Sequence, residues 1–261
     1  IVRTATDQED MEIVAAIDAP STPHAGRDAG ELAGIKRLGV EISGADGIDE
    51  TLKETNPDVL VDFTLAEAAV ENVKAAAKSG VAVVVGTTGF SSKQRKEMEK
   101  AIEEAEIPAI IAPNMSIGVN VFFKLAEQTA KLLKDYDVEL IETHHRKKVD
   151  APSGTALCAA QIVAEASGKD FEKSVKFGRP KGKIGERTRE EIGIHAVRAG
   201  DVAGDHKLVF AGPSERLEIV HRAQSRQVFA NGVMRAIRYI VEEGRRKPGE
   251  VQDMQDVLSL K

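Results

Sequence analysis

The densest group of ionisable side chains lies in the segment 139–156, which reads ELIETHHRKKVDAPSGTA. Two adjacent histidines, His144 and His145, are followed there by a run of cations that ends at Lys148. A histidine can donate a proton near neutral pH, and a lysine offers a fixed positive charge or a second donor. These residue types fit acid–base chemistry on a small anionic molecule.

The end of the same segment has the pattern of a helix N-terminus. Pro152 interrupts the preceding structure, and Ser153 is a residue type that caps helices. The cap would leave the amides of Gly154 and Thr155 facing outward at the positive end of the helix dipole, as a receptor for a carboxylate or phosphate. A solvated basic loop beside an ordinary helix cap would have the same composition, so the residues alone leave that alternative open. Adjacent histidines on an extended segment point to opposite faces, and no cysteine is near them, so we expect no metal site.

Hydrophobic periodicity predicts the elements that position this segment. Near-continuous apolar runs are typical of a parallel sheet that is covered on both faces. Helices separate the runs, and two of them begin with a capping-box pattern, Thr64-x-x-Glu67 and Ser91-x-x-Gln94. Strands that alternate with helices predict a doubly wound α/β fold. The predicted strands are residues 12–18, 58–64, 81–87, 109–112 and 137–144, and the predicted helices are 68–79, 95–105, 118–134 and 153–166.

The pattern changes near residue 115, ahead of the predicted helix 118–134 and the predicted strand 137–144. Three period-2 runs at 192–199, 206–210 and 216–222 are separated by glycine-containing turns, which predicts an antiparallel meander. A helical period returns at 229–243, and a short amphipathic piece follows at 251–258. We therefore expect an α/β domain that is interrupted by an α+β domain with a mixed or antiparallel sheet.

Composition argues against several classes of function. Lys and Arg number 36 against 42 Asp and Glu, a net charge of −6, which disfavours a non-specific nucleic-acid binder. The single cysteine, Cys158, cannot form an internal disulfide, and the reducing cytoplasm is the compartment we expect. The longest apolar runs, 81–85 and 108–113, are far shorter than the ~20 residues of a membrane span. A small-molecule partner is favoured over a nucleic acid or a membrane.

The run from Glu142 to Ala156 resembles the signature of the 4-hydroxy-tetrahydrodipicolinate reductase family, also called dihydrodipicolinate reductases. The resemblance extends along essentially the whole chain. Further matching runs are DAGELAG at 28–34, VDFT at 61–64, VGTTGF at 85–90, APNMSIGVN at 112–120, RAGD at 198–201 and FANG at 229–232. Leu140 and Met115 are small departures from the residues that are usual in the family.

The resemblance implies an enzyme of lysine and diaminopimelate biosynthesis. Its reaction is the NAD(P)H-dependent reduction of 4-hydroxy-tetrahydrodipicolinate, a cyclic dicarboxylate with a C=N bond, to tetrahydrodipicolinate. A Rossmann-like dinucleotide-binding domain is then expected at 1–115 and 226–261, and a substrate-binding domain that forms a homotetramer at 116–225. The family also implies a strand and a glycine-rich turn ahead of Ile1, and residues 1–5 have the pattern of a helix interior without a cap.

The resemblance also assigns roles to single residues. His144 is the expected proton donor and Lys148 the second catalytic residue. His145, Ser153, Gly154 and Thr155 are expected to hold the substrate. The expected cofactor-binding residues are Asp18, Gly86, Thr87, Thr88, Ala112, Pro113, Asn114 and Met115.

The cofactor preference rests on Asp18, because an acid at the end of the second strand accepts hydrogen bonds from ribose hydroxyls and repels a 2′-phosphate. Family members that use both cofactors often carry an arginine at the next position, where this chain has Ala19. We therefore expect NADH to be favoured over NADPH.

Two other functions would account for part of the sequence. A related dehydrogenase acting on a sugar or a semialdehyde would share the fold, but it would not explain the segment 148–155. A non-catalytic binding protein would keep the substrate residues and lack the turnover machinery.

Overall fold

The computed structural model describes residues 1–244 and 247–261, which divide into two units. The first unit comprises residues 1–115, 229–259 and 261, and the second comprises residues 116–228 and 260. The strands are β1 (Ala16–Asp18), β2 (Ile42–Gly44), β3 (Val59–Asp62), β4 (Ala82–Val85), β5 (Ala109–Ile111), β6 (Asp137–His144), β7 (Val175–Phe177), β8 (Ile192–Arg198), β9 (Gly204–Gly212), β10 (Glu215–Ala223) and β11 (Val251–Gln252). The helices are α1 (Val2–Thr6), α2 (Ala29–Leu32), α3 (Ile48–Thr55), α4 (Ala66–Lys78), α5 (Ser92–Ala105), α6 (Ile117–Leu132), α7 (Gly154–Ser167), α8 (Phe171–Ser174), α9 (Gln227–Glu242) and α10 (Met254–Val257).

Parallel pairing organises the strands of the first unit. One sheet has the order β11-β5-β4-β3 with every pair parallel, and β1 and β2 form a second parallel pair. In β4, Val83 and Val85 pack in one hydrophobic cluster, while Ala82 and Val84 pack in another on the opposite face. The predicted Rossmann-like parallel sheet, covered on both faces, is confirmed.

One of the two predicted capping boxes is confirmed and the other is wrong. The Ser91 hydroxyl accepts from the Gln94 amide while the Gln94 side chain accepts from the Ser91 amide, at the start of α5. Thr64 does not cap α4, because this helix begins at Ala66. The amide and hydroxyl of Thr64 instead donate to the buried carboxylate of Asp62. A nearby buried acid therefore competes successfully for the threonine.

The second unit is built on a five-stranded mixed sheet with the order β10-β9-β6-β8-β7. The predicted meander is correct for β9 and β10, which pair antiparallel, and wrong for β8, which pairs parallel with β6 and β7. The chain passes through α7 and α8 between β6 and β8, and such a helical crossover returns the next strand in the parallel direction. Period-2 alternation carries no information about strand direction, so it could not separate the two arrangements.

The core of the second unit lies on one face of this sheet. Leu140, Ile194 and Leu208 from three neighbouring strands are buried in one cluster with Phe122 of α6 and Ala160 of α7. The opposite face of β6 is only half-buried, since residues of β6 alternate between buried and half-buried. Within the described part of the chain, no helix is long and apolar enough to cross a membrane.

Gly232 is a sensitive position for the stability of the first unit. A Cβ atom there would lie 1.7 Å from the Met115 carbonyl oxygen and 2.7 Å from its carbonyl carbon, both of them backbone atoms. Alanine normally stabilises a helix by up to about 1 kcal/mol relative to glycine, but overpacking costs roughly 1–3 kcal/mol or more. We expect Gly232→Ala to lower the urea midpoint of unfolding.

Gly47→Ala is the matched control for this change. A Cβ at Gly47 would meet nothing within 4 Å, and its φ of −99° is accessible to any residue. This variant should unfold at or slightly above the wild-type midpoint. Equal midpoints for the two variants would contradict the predicted clash.

Candidate active site

Strand β6 brings Glu142 and His144 to the same face of the sheet. Val138, Leu140, Glu142 and His144 are the buried members of its alternation. Glu142 is 0% exposed and His144 is 9% exposed. Because side chains two residues apart on a strand point the same way, the carboxylate lies beside the imidazole.

Four donors surround the Glu142 carboxylate. Oε2 accepts from Arg198 Nη1 at 2.8 Å and lies 2.5 Å from His144 Nδ1. Oε1 accepts from Arg198 Nη2 at 2.8 Å and from the Ser153 amide at 3.1 Å. Burial raises the pKa of Glu142, but the hydrogen bonds from Arg198 and His144 outweigh burial and hold that pKa below its usual value. The buried group is therefore a carboxylate at neutral pH.

Lys148 is tied to the same network through Asp150. Its Nζ donates to the two Asp150 carboxylate oxygens at 2.8 and 2.9 Å. The Asp150 carbonyl in turn accepts from Arg198 Nη2 at 2.7 Å. The hydrogen bond from Lys148 lowers the pKa of the Asp150 carboxyl. Arg198 thus connects the carboxylate beside His144 with the residue that holds Lys148.

The predicted Ser153 cap is confirmed at the start of α7. The Ser153 hydroxyl oxygen accepts from the Ala156 amide at 3.1 Å. Gly154, the first helical residue, is exposed, and a Cβ there would meet nothing within 4 Å. Thr155 is half-buried. A helix of 14 residues therefore begins at an open surface, and its positive end favours an anion there.

A buried histidine lies behind the cap. His206 of β9 places Nε2 3.1 Å from the Ser153 hydroxyl oxygen, and its ring centroid lies 5.3 Å from that of His144 and 6.4 Å from that of His221. Burial, followed by the electrostatic effect of the neighbouring His144, lowers the pKa of His206 to about 3. This ring is therefore neutral at physiological pH.

His145 leaves the sheet directly after His144. Its backbone amide donates to the Val202 carbonyl at 2.7 Å. Its ring Nε2 lies 3.4 Å from Arg226 Nη2, and its buried Nδ1 has no hydrogen-bond partner among the described residues. The second unit thus brings His144, His145, Lys148, Ser153 and the first turn of α7 into one group of connected residues.

Asp18 lies at the carboxyl end of β1, in the first unit, and is exposed. Its carboxylate accepts from the Thr22 hydroxyl at 2.6 Å and from the Ala19 amide at 2.8 Å. The Thr22 hydroxyl, and then the Ala19 amide, lower the pKa of Asp18. The carboxylate is charged at neutral pH, as acceptance of ribose hydroxyls requires.

The other predicted cofactor residues follow β4 and β5. The registers Asp62↔Val85 and Val85↔Ile111 bring the carboxyl ends of β3, β4 and β5 to one edge, where α/β folds bind ligands. Gly86 packs against the Phe63 ring, since a Cβ there would lie 2.2 Å from a ring carbon. Thr88 and Pro113 are exposed and Asn114 is half-buried, whereas Thr87, Ala112 and Met115 are buried.

Asp62 holds the loops at this edge together. Its carboxylate accepts from the Thr87 hydroxyl at 2.7 Å and from Asn72 Nδ2 at 2.7 Å, in addition to the contacts from Thr64. The buried side chain of Thr87 therefore positions the loop after β4, and the neighbouring Thr88 faces outward. Met115 packs in the core below the edge.

Comparisons with known proteins agree with these features along the whole chain. The family models described as dihydrodipicolinate reductase, N-terminus and C-terminus, match residues 1–115 and 118–258. The chain belongs to the dihydrodipicolinate reductase family. Within this family, the 4-hydroxy-tetrahydrodipicolinate reductase of Methanothermobacter thermautotrophicus is 54% identical over 260 residues, which cover 100% of this chain and 94% of the relative. That of Methanocaldococcus jannaschii is 56% identical, with 100% of this chain and 92% of the relative covered.

A solved structure supports the same relationship. It is a dipicolinate-bound dihydrodipicolinate reductase from Paenisporosarcina sp. TG-14, with a TM-score of 0.75 and 29% identity. The match covers 97% of this chain and 91% of that one. A dihydrodipicolinate reductase is an NAD(P)H-dependent oxidoreductase, and its N-terminal part is the nucleotide-binding domain. The exposed Asp18 carboxylate and the open edge after β4 and β5 fit a dinucleotide.

Sequence reasoning missed several polar residues of the candidate site. Glu142, Arg198, Asp150, His206 and Asp62 were not among the predicted site residues. The i, i+2 spacing of Glu142 and His144 on a predicted strand is a signal that could have found the first of them. Arg198 and His206 are brought to the site from other strands, and sequence spacing gives no distance for such pairs. Among the described residues, no three His, Cys, Asp or Glu side chains are grouped so as to hold a metal ion.

The depressed pKa of His206 makes stability depend on pH. The unfolded chain takes up a proton below about pH 6.5, but the folded chain does so only near pH 3, so stability falls as the pH drops through this window. At pH 5 the loss from this group amounts to about 2 kcal/mol relative to pH 8. We expect His206→Gln, whose amide can still bond Ser153, to reduce the difference in unfolding free energy between pH 8 and pH 5 by that amount. Urea denaturation at both pH values measures it, and an unchanged difference would contradict the neutral buried ring.

Proposed function

We propose that this protein reduces 4-hydroxy-tetrahydrodipicolinate to tetrahydrodipicolinate with NADH or NADPH, with loss of the 4-hydroxyl group as water, in lysine and diaminopimelate biosynthesis. The observation that carries the proposal is the connected group in the second unit. His144 and Lys148 lie on one network with the capped start of α7. The names of the relatives and the dipicolinate bound to one of them support a cyclic dicarboxylate as the substrate.

Binding of a dicarboxylate requires positive charge and directed donors. Lys148 supplies an ammonium group, and the first turn of α7 supplies amides at Gly154 and Thr155. His145 adds a ring nitrogen beside Arg226. Ser153 contributes indirectly, because its hydroxyl caps the helix and its amide is bound by Glu142. The two carboxylates of the substrate are thereby matched to the helix N-terminus and to Lys148.

His144 is the proposed proton donor. Its Nδ1 is engaged by Glu142, which leaves Nε2 for the substrate. Gly204 leaves room beside this atom, because a Cβ there would lie 3.0 Å from Nε2. Reduction requires loss of the substrate's hydroxyl group as water and a hydride that a nicotinamide would supply when bound, and His144 donates the proton to the neighbouring ring position. Lys148 stabilises the anionic substrate and acts as the second catalytic residue.

Association of subunits is a further part of the proposal. The face of the mixed sheet opposite its core carries exposed Val197 and Val220 among half-buried residues of β6. Exposed apolar groups on an open sheet face favour contact with another copy. We propose a homotetramer formed through the second unit. We also propose that the protein works in the cytoplasm, because its single cysteine cannot form an internal disulfide and needs no oxidising compartment.

Loss of either proposed catalytic residue should reduce turnover sharply. We expect His144→Ala and Lys148→Ala each to lower kcat by roughly 10²–10⁴-fold, the range for loss of an acid–base or charge-stabilising group. Steady-state assays that follow NAD(P)H consumption measure the effect, and circular dichroism checks that folding is preserved. Near-normal rates in both variants would exclude this loop as the active site.

Thr155→Val separates binding from proton transfer. It removes a hydroxyl at the helix N-terminus without altering His144, so it should weaken dipicolinate binding in calorimetry more than it lowers kcat. A non-catalytic binding protein would bind dipicolinate without reducing the substrate, and this assay pair tells the two functions apart.

We expect the side chain at position 19 to affect the preference between NADH and NADPH. Ala19 is exposed beside the Asp18 carboxylate, and a cation there would offset repulsion of a 2′-phosphate. We expect the wild-type protein to favour NADH, and Ala19→Arg to shift the ratio of kcat/KM values toward NADPH by about fivefold, roughly 1 kcal/mol. Ala19→Gln adds length without charge and should leave the ratio near that of the wild type. A wild-type protein with a lower KM and equal kcat for NADPH would show that another cation reaches the phosphate.

A further inference from the structure

The Glu142 carboxylate is surrounded by hydrogen-bond donors. Each of its oxygens has two partners: Arg198 Nη1 and His144 Nδ1 at Oε2, and Arg198 Nη2 and the Ser153 amide at Oε1. The guanidinium and the backbone amide are donors under all conditions. The imidazole nitrogen is the one partner that can be either a hydrogen-bond donor or an acceptor. A carboxylate therefore fits this position and a neutral amide does not.

We propose that Glu142 is the positioning residue that holds the His144 ring with a proton on Nδ1, so that Nε2 faces the substrate. The proposal deepens the proposed function and rests on it. A carboxylate that accepts from one nitrogen of an imidazole fixes the ring orientation and its tautomer, as is general for second-sphere partners of histidine.

The same carboxylate links the proton donor to the carboxylate receptor. The Ser153 amide donates to Oε1, and the Ser153 hydroxyl caps the helix whose first turn faces the substrate. One buried group thus sets the distance between His144 and the start of α7. A substitution at Glu142 is expected to disturb proton transfer first, because His144 is the partner that can change its hydrogen-bonding role.

Several charged or titratable groups face this pair from neighbouring elements. Arg198 of β8 is paired with Glu142, and Lys148 is paired with Asp150 in the loop after β6. His206 of β9 lies against the His144 ring and is neutral, because burial lowers its pKa to about 3. His221 of β10 lies beyond His206, and burial lowers its pKa as well. Glu142 is thus the carboxylate that touches the His144 ring.

Glu139 provides a matched control on the same strand. Its carboxylate lies 2.7 Å from His195 Nε2 and accepts from Arg187 and Arg179, so like Glu142 it is paired with an imidazole and with guanidinium groups. It belongs to the half-buried set of the β6 alternation, opposite to Glu142 and His144. Glu139→Gln therefore removes an equivalent charge and an equivalent pair of cation contacts without touching the candidate site.

The test compares Glu142→Gln with Glu139→Gln in the whole protein. The glutamine oxygen of the first variant is expected to remain with Arg198, and its NH₂ group then donates to His144 Nδ1. We expect kcat to fall about 10- to 100-fold, with a smaller change in dipicolinate affinity. The dependence of kcat on pH should differ from that of the wild type, since the His144 ring has lost its anionic partner. Glu139→Gln should keep the wild-type kcat profile, with its assembly checked by light scattering.

Nitrogen NMR of histidine-labelled protein gives a readout that does not depend on turnover. In the wild type, the neutral His144 ring should carry its proton on Nδ1, and in Glu142→Gln the proton should move to Nε2. Wild-type protein with a neutral ring protonated on Nε2 would overturn the proposal, even if the variant fails to fold. A Glu142→Gln profile that coincides with that of the wild type would also overturn it. Absence of turnover in the wild type would refute the proposed function, whereas the NMR result would still decide the role of Glu142.

Discussion

A carboxylate with no access to solvent has to find its hydrogen bonds within the protein, and Glu142 finds them in three different segments. The end of β6 supplies His144, the end of β8 supplies Arg198, and the turn into α7 supplies the Ser153 amide. Each segment is therefore fixed at its contact with Glu142, because loss of that contact would leave a buried charge without a partner. The position of the imidazole, the start of the helix and the orientation of the guanidinium depend on that requirement.

In the first unit, Asp62 is likewise a buried acid that finds its hydrogen bonds within the protein. This buried acid lies at the carboxyl end of β3 and gathers hydroxyl and amide donors from its own loop, from α4 and from the loop after β4. In both units a buried acid lies at or near the carboxyl end of a strand, and the surrounding loops are ordered by hydrogen bonds to it. Loops otherwise carry few packing contacts, so such acids give them defined positions for the binding of ligands.

Much of the fold follows from local sequence pattern. The apolar runs located β3, β4, β5 and β6 to within a few residues, and the Ser91 and Ser153 caps were evident from residue type and spacing. The Thr64 cap was wrong because Asp62, only two residues earlier, competes for the threonine, a local contact that the sequence does contain. The pairing of β8 was wrong because it depends on the strand beside which β8 lies, which spacing does not encode. The segment 139–156, which carries the candidate catalytic residues, could be identified from its histidines and lysines. The partners that orient them, Arg198 and His206, come from strands distant in the sequence and required the three-dimensional structure.

The contact between Lys148 and Asp150 has a consequence for selectivity. The ammonium group is already neutralised by an acid two residues away, so any incoming anion competes with a counterion that is tethered at high effective concentration. A simple monoanion such as acetate or chloride gains little by this exchange. A rigid molecule with two carboxylates can engage the helix start at the same time, and the second contact compensates for the displaced aspartate. In the proposed function, this internal ion pair would favour a dicarboxylate over the abundant small monoanions of a cell.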